Sequence, residues 1–339
     1  MSYLPATSSP VKLILDTDMG NDIDDALALT MIHSLQSRQE CELLGVTVCK
    51  DNVFAPQYVD LVNTFYGRGD IPIGMVQDGV TEDNGLYTRT IVEATDACGK
   101  RRYQCTQPKK KPYGAATDVL RMLLSQEDDQ SVVIVMIGFS TNMQALLATE
   151  SDVFSPLNGS ALVREKVREF IVMAGEFSDH ALSLQPVEAR EYNIVKDIPA
   201  AQTFINRCPS PITFCGFEIG TQILFPADAI ESGYAWVDHH PVREAYHAFR
   251  EMPYDRPTWD LNAVLYAVRR DHQYFELSGP GKVEVDDLGN VSFEPNTNGK
   301  HAYLKVRESK KDRIAATQIE LATQPYLIQP AIKPTFQPV

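Results

Sequence analysis

The sequence predicts an α/β fold in which helices cover both faces of an open, mostly parallel sheet, in the manner of Rossmann-like proteins. Strand-like and helix-like segments alternate through the first two thirds of the 339 residues, which is the pattern of successive βαβ units. The strand-like runs are short and almost wholly apolar, as expected of strands that are buried on both faces. With 44% hydrophobic and 22% charged residues, the composition is that of an ordinary globular enzyme.

The predicted elements follow one another in a regular order. An apolar run at residues 11–15 predicts the first strand, and residues 26–37 repeat apolar side chains with the period of an amphipathic helix. An apolar run at residues 42–49 predicts the second strand. The next predicted elements are a helix at 55–66, strands at 71–75, 131–138 and 170–174, and helices that begin after Asp197 and near Asp260.

A chain of this length can bury a large core, so we expect one α/β domain over residues 11–323. It lies between an N-terminal extension at 1–10 and a Pro-rich tail at 324–339. Within it, residues 281–306 predict a small β-hairpin region, followed by a helix at 308–322. Residues 77–112 are irregular and carry a basic cluster at 100–111, which is either a solvated surface or part of a lid over the site.

Charge and hydropathy exclude several classes of partner. The net charge of −14 argues against binding to a nucleic acid backbone or to an anionic membrane surface. No segment approaches the roughly 20 consecutive apolar residues of a membrane helix, and the first residues lack the pattern of a secretory signal. We therefore expect a cytoplasmic protein. Its six scattered cysteines form no Cys-x-x-Cys pair and are expected to be reduced thiols.

Five aspartates between the first strand and the first helix give the strongest functional signal. They are Asp16, Asp18, Asp22, Asp24 and Asp25. Their charges repel one another at pH 7, and only a cation makes such a loop stable. Carboxylate oxygens are the ligands that calcium and magnesium prefer, and open α/β sheets bind ligands at the carboxyl ends of their strands. The loop therefore predicts a divalent metal site in preference to simple helix capping.

The same loop resembles the N-terminal signature of the nucleoside hydrolases (nucleoside N-ribohydrolases) of the inosine-uridine preferring type, Asp-x-Asp-x-Gly-x-Asp-Asp-Ala-x-Ala-Leu. The matching residues are Asp16, Asp18, Gly20, Asp24, Asp25, Ala26, Ala28 and Leu29. The chain resembles a divergent member of this family, because it carries extra residues between Gly20 and Asp24. Three further motifs follow in family order: Gly138-x-x-Thr141-Asn142, Glu191-x-Asn193 and Trp259-Asp260. Four motifs in order over residues 11–270 are far more specific than any one of them.

The resemblance implies a fold and a set of site residues. Its metal is calcium, with Asp18, Asp25, the Ile137 backbone carbonyl and Asp260 as ligands, and Asp18 is also the catalytic base. The ribose is bound by Asp24 or Asp22, between which the sequence does not decide, together with Asn52, Glu191 and Asn193. If Glu191-x-Asn193 is extended, both side chains lie on one face, where they suit vicinal hydroxyls. Met173 lines the pocket, Trp259 stacks on the base, and Asp51 is a second contact there.

The implied reaction is hydrolysis of the N-glycosidic bond of a ribonucleoside, by metal-activated water and through an oxocarbenium-like transition state. Trp259 stands where other members carry a histidine acid, so we expect stacking and a preference for purines. The expected partner is a nucleoside or a related ribosyl compound, and the expected assembly is a homo-oligomer, either a dimer or a tetramer.

Two alternatives stay open. One is a hydrolase of another ribosyl or glycosyl substrate, since the longer aspartate loop can reshape the pocket. The other is a calcium-dependent sugar-binding relative without turnover, against which the intact Asp18, Asp25 and Asp260 argue. A dinucleotide-dependent oxidoreductase is disfavoured, because no Gly-x-Gly-x-x-Gly follows the first strand.

Overall fold

A computed structural model of the chain describes residues 9–106, 113–178 and 190–325. Its strands in these ranges are β1 (Val11–Thr17), β2 (Cys41–Val48), β3 (Ile73–Met75), β4 (Gly114–Ala115), β5 (Val132–Met136), β6 (Val167–Met173), β7 (Ile212–Cys215), β8 (Leu224–Phe225), β9 (Arg256–Pro257), β10 (Glu276–Leu277), β11 (Gly281–Val285), β12 (Val291–Pro295) and β13 (His301–Lys305). Eleven of them form one sheet in the order β12-β11-β13-β7-β6-β5-β1-β2-β3-β4, with β10 paired to β13. The other two, β8 and β9, form a separate antiparallel pair.

The order of the strands creates a switch point in the middle of the sheet. β1 pairs in parallel with β2 on one side and with β5 on the other. The chain first adds β2, β3 and β4 on one side and then β5, β6 and β7 on the other. Connections therefore leave the carboxyl ends of β1 and β5 in opposite directions, and the crevice between them is where such sheets bind ligands.

Helices cover both faces of the sheet, which confirms the predicted fold class. The α-helices of the described ranges are α1 (Asp24–Ser37), α2 (Phe54–Phe65), α3 (Thr88–Val92), α4 (Ala116–Ser125), α5 (Thr141–Ala148), α6 (Gly159–Lys166), α7 (Tyr192–Lys196), α8 (Ile198–Arg207), α9 (Phe217–Thr221), α10 (Ala227–Gly233), α11 (Pro241–Phe249), α12 (Trp259–Val268) and α13 (Lys311–Thr323). Successive β1 side chains point to opposite faces. Leu13 and Leu15 thus join one core with α1, α2, α12 and α13, while Ile14 joins another with α4, α5, α6 and α8.

The structure adds detail in two predicted regions. The hairpin β11–β12 is continuous with the main sheet, because β13 pairs in parallel with β7 and β11 pairs with β13. Val283 and Val285 alternate with exposed residues and pack into the core, which ties the hairpin to the sheet edge. The irregular segment after residue 77 contains the short helix α3 and then a bridge between Thr95 and Arg101.

Several sequence features lie partly outside the described residues. These are residues 1–8 of the N-terminal extension, 107–111 of the basic cluster and 326–339 of the tail. All six cysteines are described, and all are free thiols. Among the helices of the described ranges, none combines the length and the apolar composition that a membrane span requires.

Candidate active site

A cavity of about 350 Å³ opens at the carboxyl ends of β1, β5 and β6, beside the switch point. That volume is within the range of small-molecule sites. Its walls are formed by Asp18, Asn21, Asp22, Asp24, Asp25, Ile137, Met173, Glu191, Tyr192, Asn193, Phe217, Arg256, Trp259 and Asp260. Six of these side chains are carboxylic acids and one is a guanidinium, so the cavity is strongly acidic.

Three buried aspartates meet in this cavity at two helix N-termini. Asp24 and Asp25 occupy the first turn of α1, and Asp260 occupies the first turn of α12. One carboxylate oxygen from each lies within 4.8 Å of the others. The positive ends of two helix dipoles favour carboxylates there. Asp18 lines the same cavity, next to this group of three.

The electrostatics of the cluster fit a divalent cation. Burial raises the pKa of Asp24, Asp25 and Asp260 well above the usual range, and repulsion from neighbouring carboxylates raises it further. Burial also raises the pKa of Asp18, to about 6. Carboxylates gathered out of water and short of counter-charge are stabilised when a hard cation binds their oxygens. The residues present therefore suit calcium or magnesium.

These shifts predict how the stability of the metal-free protein depends on pH. A carboxyl group with a raised folded-state pKa contributes stability below its unfolded pKa, and that contribution is lost as the pH rises through the folded pKa. Burial raises the pKa of Asp16 and of Glu191 to about 7. Burial lowers the pKa of His33 and His240 to about 3, so these rings stay neutral in the folded protein. Because unfolded histidine titrates near 6.5, the histidine contribution is largely constant above that pH.

In EDTA we therefore expect the Tm to fall by at least about 4 °C between pH 6.5 and pH 8.5. Calcium should reduce this fall, because a bound cation stabilises the ionised carboxylates. Calorimetric scans with EDTA and with calcium measure both quantities. A Tm in EDTA that is constant or rises over this interval contradicts the electrostatic description of the cluster.

The glycine motif after β5 connects this strand to the aspartate loop. A Cβ atom at Gly138 would lie 2.6 Å from the backbone nitrogen of Asp18, so only glycine allows this approach. Asn142, in the first turn of α5, donates a hydrogen bond from Nδ2 to Oδ1 of Asp16 at 2.7 Å. The motif thus holds the two strand ends that flank the switch point, and it brings Ile137 to the cavity wall.

The two aspartates that the sequence could not distinguish have different partners. Asp22 forms a two-pronged ion pair with Arg256, with 2.9 Å between Arg256 Nε and Asp22 Oδ1. Its Oδ1 also accepts a hydrogen bond from the backbone nitrogen of Ile23, at 2.6 Å. Asp24 instead lies in the buried cluster, where its Oδ2 accepts the backbone N–H of Asp260 at 3.1 Å. The carboxylate of Asp22 is therefore largely satisfied by protein groups.

Glu191 and Asn193 both reach the cavity, although not through the extended backbone that we expected. Glu191 is the N-cap of α7, and its carboxylate accepts backbone N–H groups from Asn193 at 2.7 Å, Ile194 at 3.0 Å and Gly175 at 3.1 Å. A helix begins here because these bonds satisfy its first donors. The Nδ2 of Asn193 donates to the carbonyls of Met173, at 3.0 Å, and Ile137, at 3.2 Å.

Two other predicted contacts are turned away from the cavity wall. The Nδ2 of Asn52 donates to the backbone carbonyl of Glu82 at 3.0 Å, and its Oδ1 accepts the N–H of Phe54 at 2.9 Å. Asp51 Oδ2 accepts the backbone N–H of Gly79 at 2.8 Å. Both side chains hold the segment after β3, because the chain turns between β2 and α2 and directs them there. The structure does not place Asn52 or Asp51 at the cavity.

Trp259 lies at the cavity as expected, but with neighbours that the sequence did not indicate. Its indole stacks on Phe217, with ring centroids 5.3 Å apart and planes 18° apart, and the Arg256 guanidinium carbon lies 5.1 Å from the indole centroid. Tyr192 and Asn21 also line the cavity. Tyr192 falls inside Glu191-x-Asn193 and Arg256 lies three residues before Trp259, whereas Phe217 carried no sequence signal.

The chain thus has an α/β fold with an acidic cavity at the switch point of its sheet, and comparison with known families makes its class specific. Residues 13–322 match the family described as inosine-uridine preferring nucleoside hydrolase. The chain belongs to this family, which confirms the resemblance and makes the protein an N-glycosyl hydrolase. A search among curated proteins found no match to the chain.

Solved structures show the same fold at low sequence identity. A plant nucleoside hydrolase is 19% identical, with a TM-score of 0.66 over 93% of this chain and 100% of that one. The purine-preferring ribonucleoside hydrolase from Gardnerella vaginalis is also 19% identical, with a TM-score of 0.66 over 92% and 99% of the two chains. The type III effector protein XopQ, complexed with adenosine diphosphate ribose, is 18% identical, with a TM-score of 0.64 over 94% and 95%.

Proposed function

We propose that the protein hydrolyses the N-glycosidic bond of ribonucleosides to a free base and ribose, and that it requires calcium. The observation that carries this proposal is the buried cluster of Asp24, Asp25 and Asp260, with Asp18 beside it in a cavity at the switch point. The ligands are Asp18, Asp25, Asp260 and the carbonyl of Ile137, and Asp24 is close enough to add an oxygen. When bound, the cation lowers the pKa of a water molecule and orients it.

The side chains around this cluster transfer the proton and stabilise the charge that develops during the reaction. Asp18 accepts a proton as the oxygen of a water molecule bonds to C1′ of the ribose. The bond from C1′ to the base nitrogen breaks, its electron pair leaves with the base, and the base then takes up a proton. Positive charge develops on the sugar in this transition state, and the surrounding carboxylates stabilise it.

The ribose hydroxyls are bound by groups that the protein holds in place. Asp24 is the better candidate for a sugar hydroxyl, since Asp22 is paired with Arg256. Glu191 and Asn193 also contact the sugar, and hydrogen bonds to backbone groups hold both side chains in place. Met173 supplies apolar contact. Asn52 and Asp51 have protein partners of their own, so we assign them to support of the segment after β3.

An assay of base and ribose release over a panel of nucleosides tests the proposed function. Inosine, adenosine, guanosine, uridine and cytidine should include at least one good substrate, with cleavage lost in EDTA and restored by calcium. Adenosine diphosphate ribose belongs in the panel, because XopQ was solved with it and it represents the other ribosyl substrates. Six cavity carboxylates against one guanidinium predict that this dianion is a poor substrate. If it alone is cleaved, the substrate class is wrong.

The indole of Trp259 suggests a preference for purine bases. Stacking is worth about 1–3 kcal/mol per base at other sites, and purines offer the larger face and N7 as a proton acceptor. We expect kcat/KM for inosine to exceed that for uridine, and Trp259→Ala to narrow the difference by about tenfold, chiefly through loss of purine activity. Trp236→Ala, at the only other tryptophan of the chain, is the control. Equal losses for both substrates would show that stacking does not select the base.

A further inference from the structure

The aspartate loop is longer than the family signature between Gly20 and Asp24, and this added stretch includes Asn21. Asn21 lines the cavity, and its side chain bonds to two charged groups. Its Nδ2 donates to Oδ2 of Asp18 at 2.8 Å, and its Oδ1 accepts from Nζ of Lys50 at 2.8 Å. A lysine, an amide and the predicted catalytic base thus form one continuous chain of hydrogen bonds.

Lys50 is unusual because its side chain is fully buried, at 0% exposure, directly after β2. A buried ammonium needs polar partners, and a direct ion pair with the cluster would satisfy it most simply. Its ion pair is instead with Asp83, at 3.0 Å from Nζ to Oδ2, and the Asp83 side chain is 69% exposed. The ammonium therefore contacts the aspartate loop through the neutral amide of Asn21.

The chemistry of the lysine fixes the orientation of this amide. An ammonium group can only donate, so the side chain of Asn21 must present its oxygen to Lys50. Its NH₂ group is then directed to the other side, where Asp18 accepts from it. Without Lys50, only the Asp18 carboxylate would hold the amide in this orientation. With Lys50 present, only one orientation satisfies all three groups.

A second set of contacts holds the backbone of the loop. Leu86 donates its backbone N–H to the carbonyl of Gly20 at 3.0 Å, and the Tyr87 hydroxyl donates to the carbonyl of Asp22 at 2.9 Å. Gly85 has a φ of +66°, and a Cβ there would lie 2.7 Å from the Gly20 oxygen. The backbone on both sides of Asn21 is therefore fixed independently, which leaves the amide to orient Asp18.

We propose that Asn21 and Lys50 are positioning residues for Asp18, in which Lys50 orients the amide and the amide holds one carboxylate oxygen in place. The role of Asp18 as base rests on the proposed function, whereas the holding of its carboxylate does not. Neither residue touches the substrate in this account. Their effect should therefore appear in kcat and in the position of the Asp18 carboxylate.

The first test is Asn21→Asp, which keeps the size of the side chain and an oxygen for Lys50 but cannot donate to Asp18. We expect kcat on the best nucleoside to fall by about 10- to 100-fold, the worth of a hydrogen bond to a charged group. KM should stay within about threefold, because substrate contacts are unchanged. Asn290→Asp is the matched control, since Asn290 donates to Asp286 in the hairpin turn in the same way, at 2.7 Å. If Asn21→Asp keeps kcat within about threefold of the parent enzyme, the proposal is wrong.

The second test asks whether Lys50 affects Asp18 only through the side chain of Asn21. Asn21→Ala and Lys50→Met should each lower kcat, and the double variant should be no worse than Asn21→Ala alone, within about twofold. Losses that multiply in the double variant would show two separate effects and overturn the proposal.

Crystal structures of the wild type and of Asn21→Ala, solved under the same conditions, test the positioning without any assay. The Asp18 carboxylate should leave its wild-type position or occupy two rotamers. If it does not move, the proposal fails, even if the enzyme cleaves nucleosides. If it moves but the wild type cleaves no nucleoside, the proposed function fails and the positioning stands.

Discussion

Asp18→Asn is expected to lower kcat for nucleoside hydrolysis by about 100- to 10,000-fold, the range in which a general base contributes. The amide has nearly the shape of the carboxylate but cannot accept the proton of the water. It also removes one negative charge beside the cluster of Asp24, Asp25 and Asp260. In the metal-free protein, burial raises the pKa of Asp18 to about 6, because the charged form is desolvated.

The fold should survive this change, because Asp18 makes few structural contacts. The circular dichroism spectrum of the variant should match that of the parent protein, which separates loss of chemistry from loss of structure. Asp286→Asn, in the exposed hairpin turn outside the cavity wall, is the control and should retain full activity. An Asp18→Asn enzyme that works within a few fold of the parent would remove Asp18 from the mechanism.

Calcium binding should be almost lost in Asp260→Asn, and activity should be lost with it. Loss of a group that hydrogen-bonds to a metal ligand typically costs 10- to 100-fold in metal affinity, so loss of a ligand carboxylate itself should cost at least about 100-fold. Because Asp24, Asp25 and Asp260 repel one another without a cation, the chelated variant at pH 8 should have a higher Tm than the chelated parent. Calcium should raise the Tm of the parent and not that of the variant.

Calorimetric titration with calcium and thermal scans in EDTA measure these two effects. In Asp260→Asn, the affinity for calcium should fall and the Tm in EDTA should rise. Both follow because the same carboxylate binds the metal and destabilises the metal-free fold. If Asp260→Asn binds calcium as tightly as the parent, Asp260 is not a ligand. If the chelated variant is less stable than the chelated parent, repulsion within the cluster is not the dominant effect of this carboxylate.

Local patterns predicted the parts of the site that lie within one strand-to-helix turn. The apolar run before Asp16 marks a strand buried on both faces, and β1 extends over Val11–Thr17. The acidic residues after it start α1 at Asp24, so the spacing along the chain already places Asp24 and Asp25 together. Ligands at the ends of adjacent parallel strands follow from the topology, which alternation of strands and helices indicates.

No local sequence pattern predicted the contacts between residues that are far apart along the chain. Asp22 and Arg256 are separated by 234 positions, and no periodicity or motif encodes their ion pair. This pair is what distinguishes Asp22 from Asp24, so the sequence alone left the choice open. Phe217 reaches the cavity only because β7 ends beside β6, and its stacking on Trp259 depends on that register.

The direction that the backbone takes at Asn52 and after Glu191 could not be predicted from local patterns. Asn52 follows β2 as expected, but the chain turns into α2 there, and its amide binds the segment that contains Glu82. Glu191 has extended backbone, but it caps α7, so Asn193 lies in a helix and not in an extended strand. Glutamate is not among the preferred N-cap residues, so the usual helix-start pattern is absent from this stretch.

The measurement that tests the central claim most directly is the fate of water oxygen during cleavage. Inosine, or the best nucleoside of the panel, is incubated with the enzyme in ¹⁸O-labelled water and phosphate-free buffer, with calcium or with EDTA. We predict stoichiometric free base and ribose, with one ¹⁸O at C1 when the sugar is trapped before exchange, and no products in EDTA or with Asp18→Asn. Release that requires phosphate, release that continues in EDTA, or ribose without the label would contradict hydrolysis by metal-activated water.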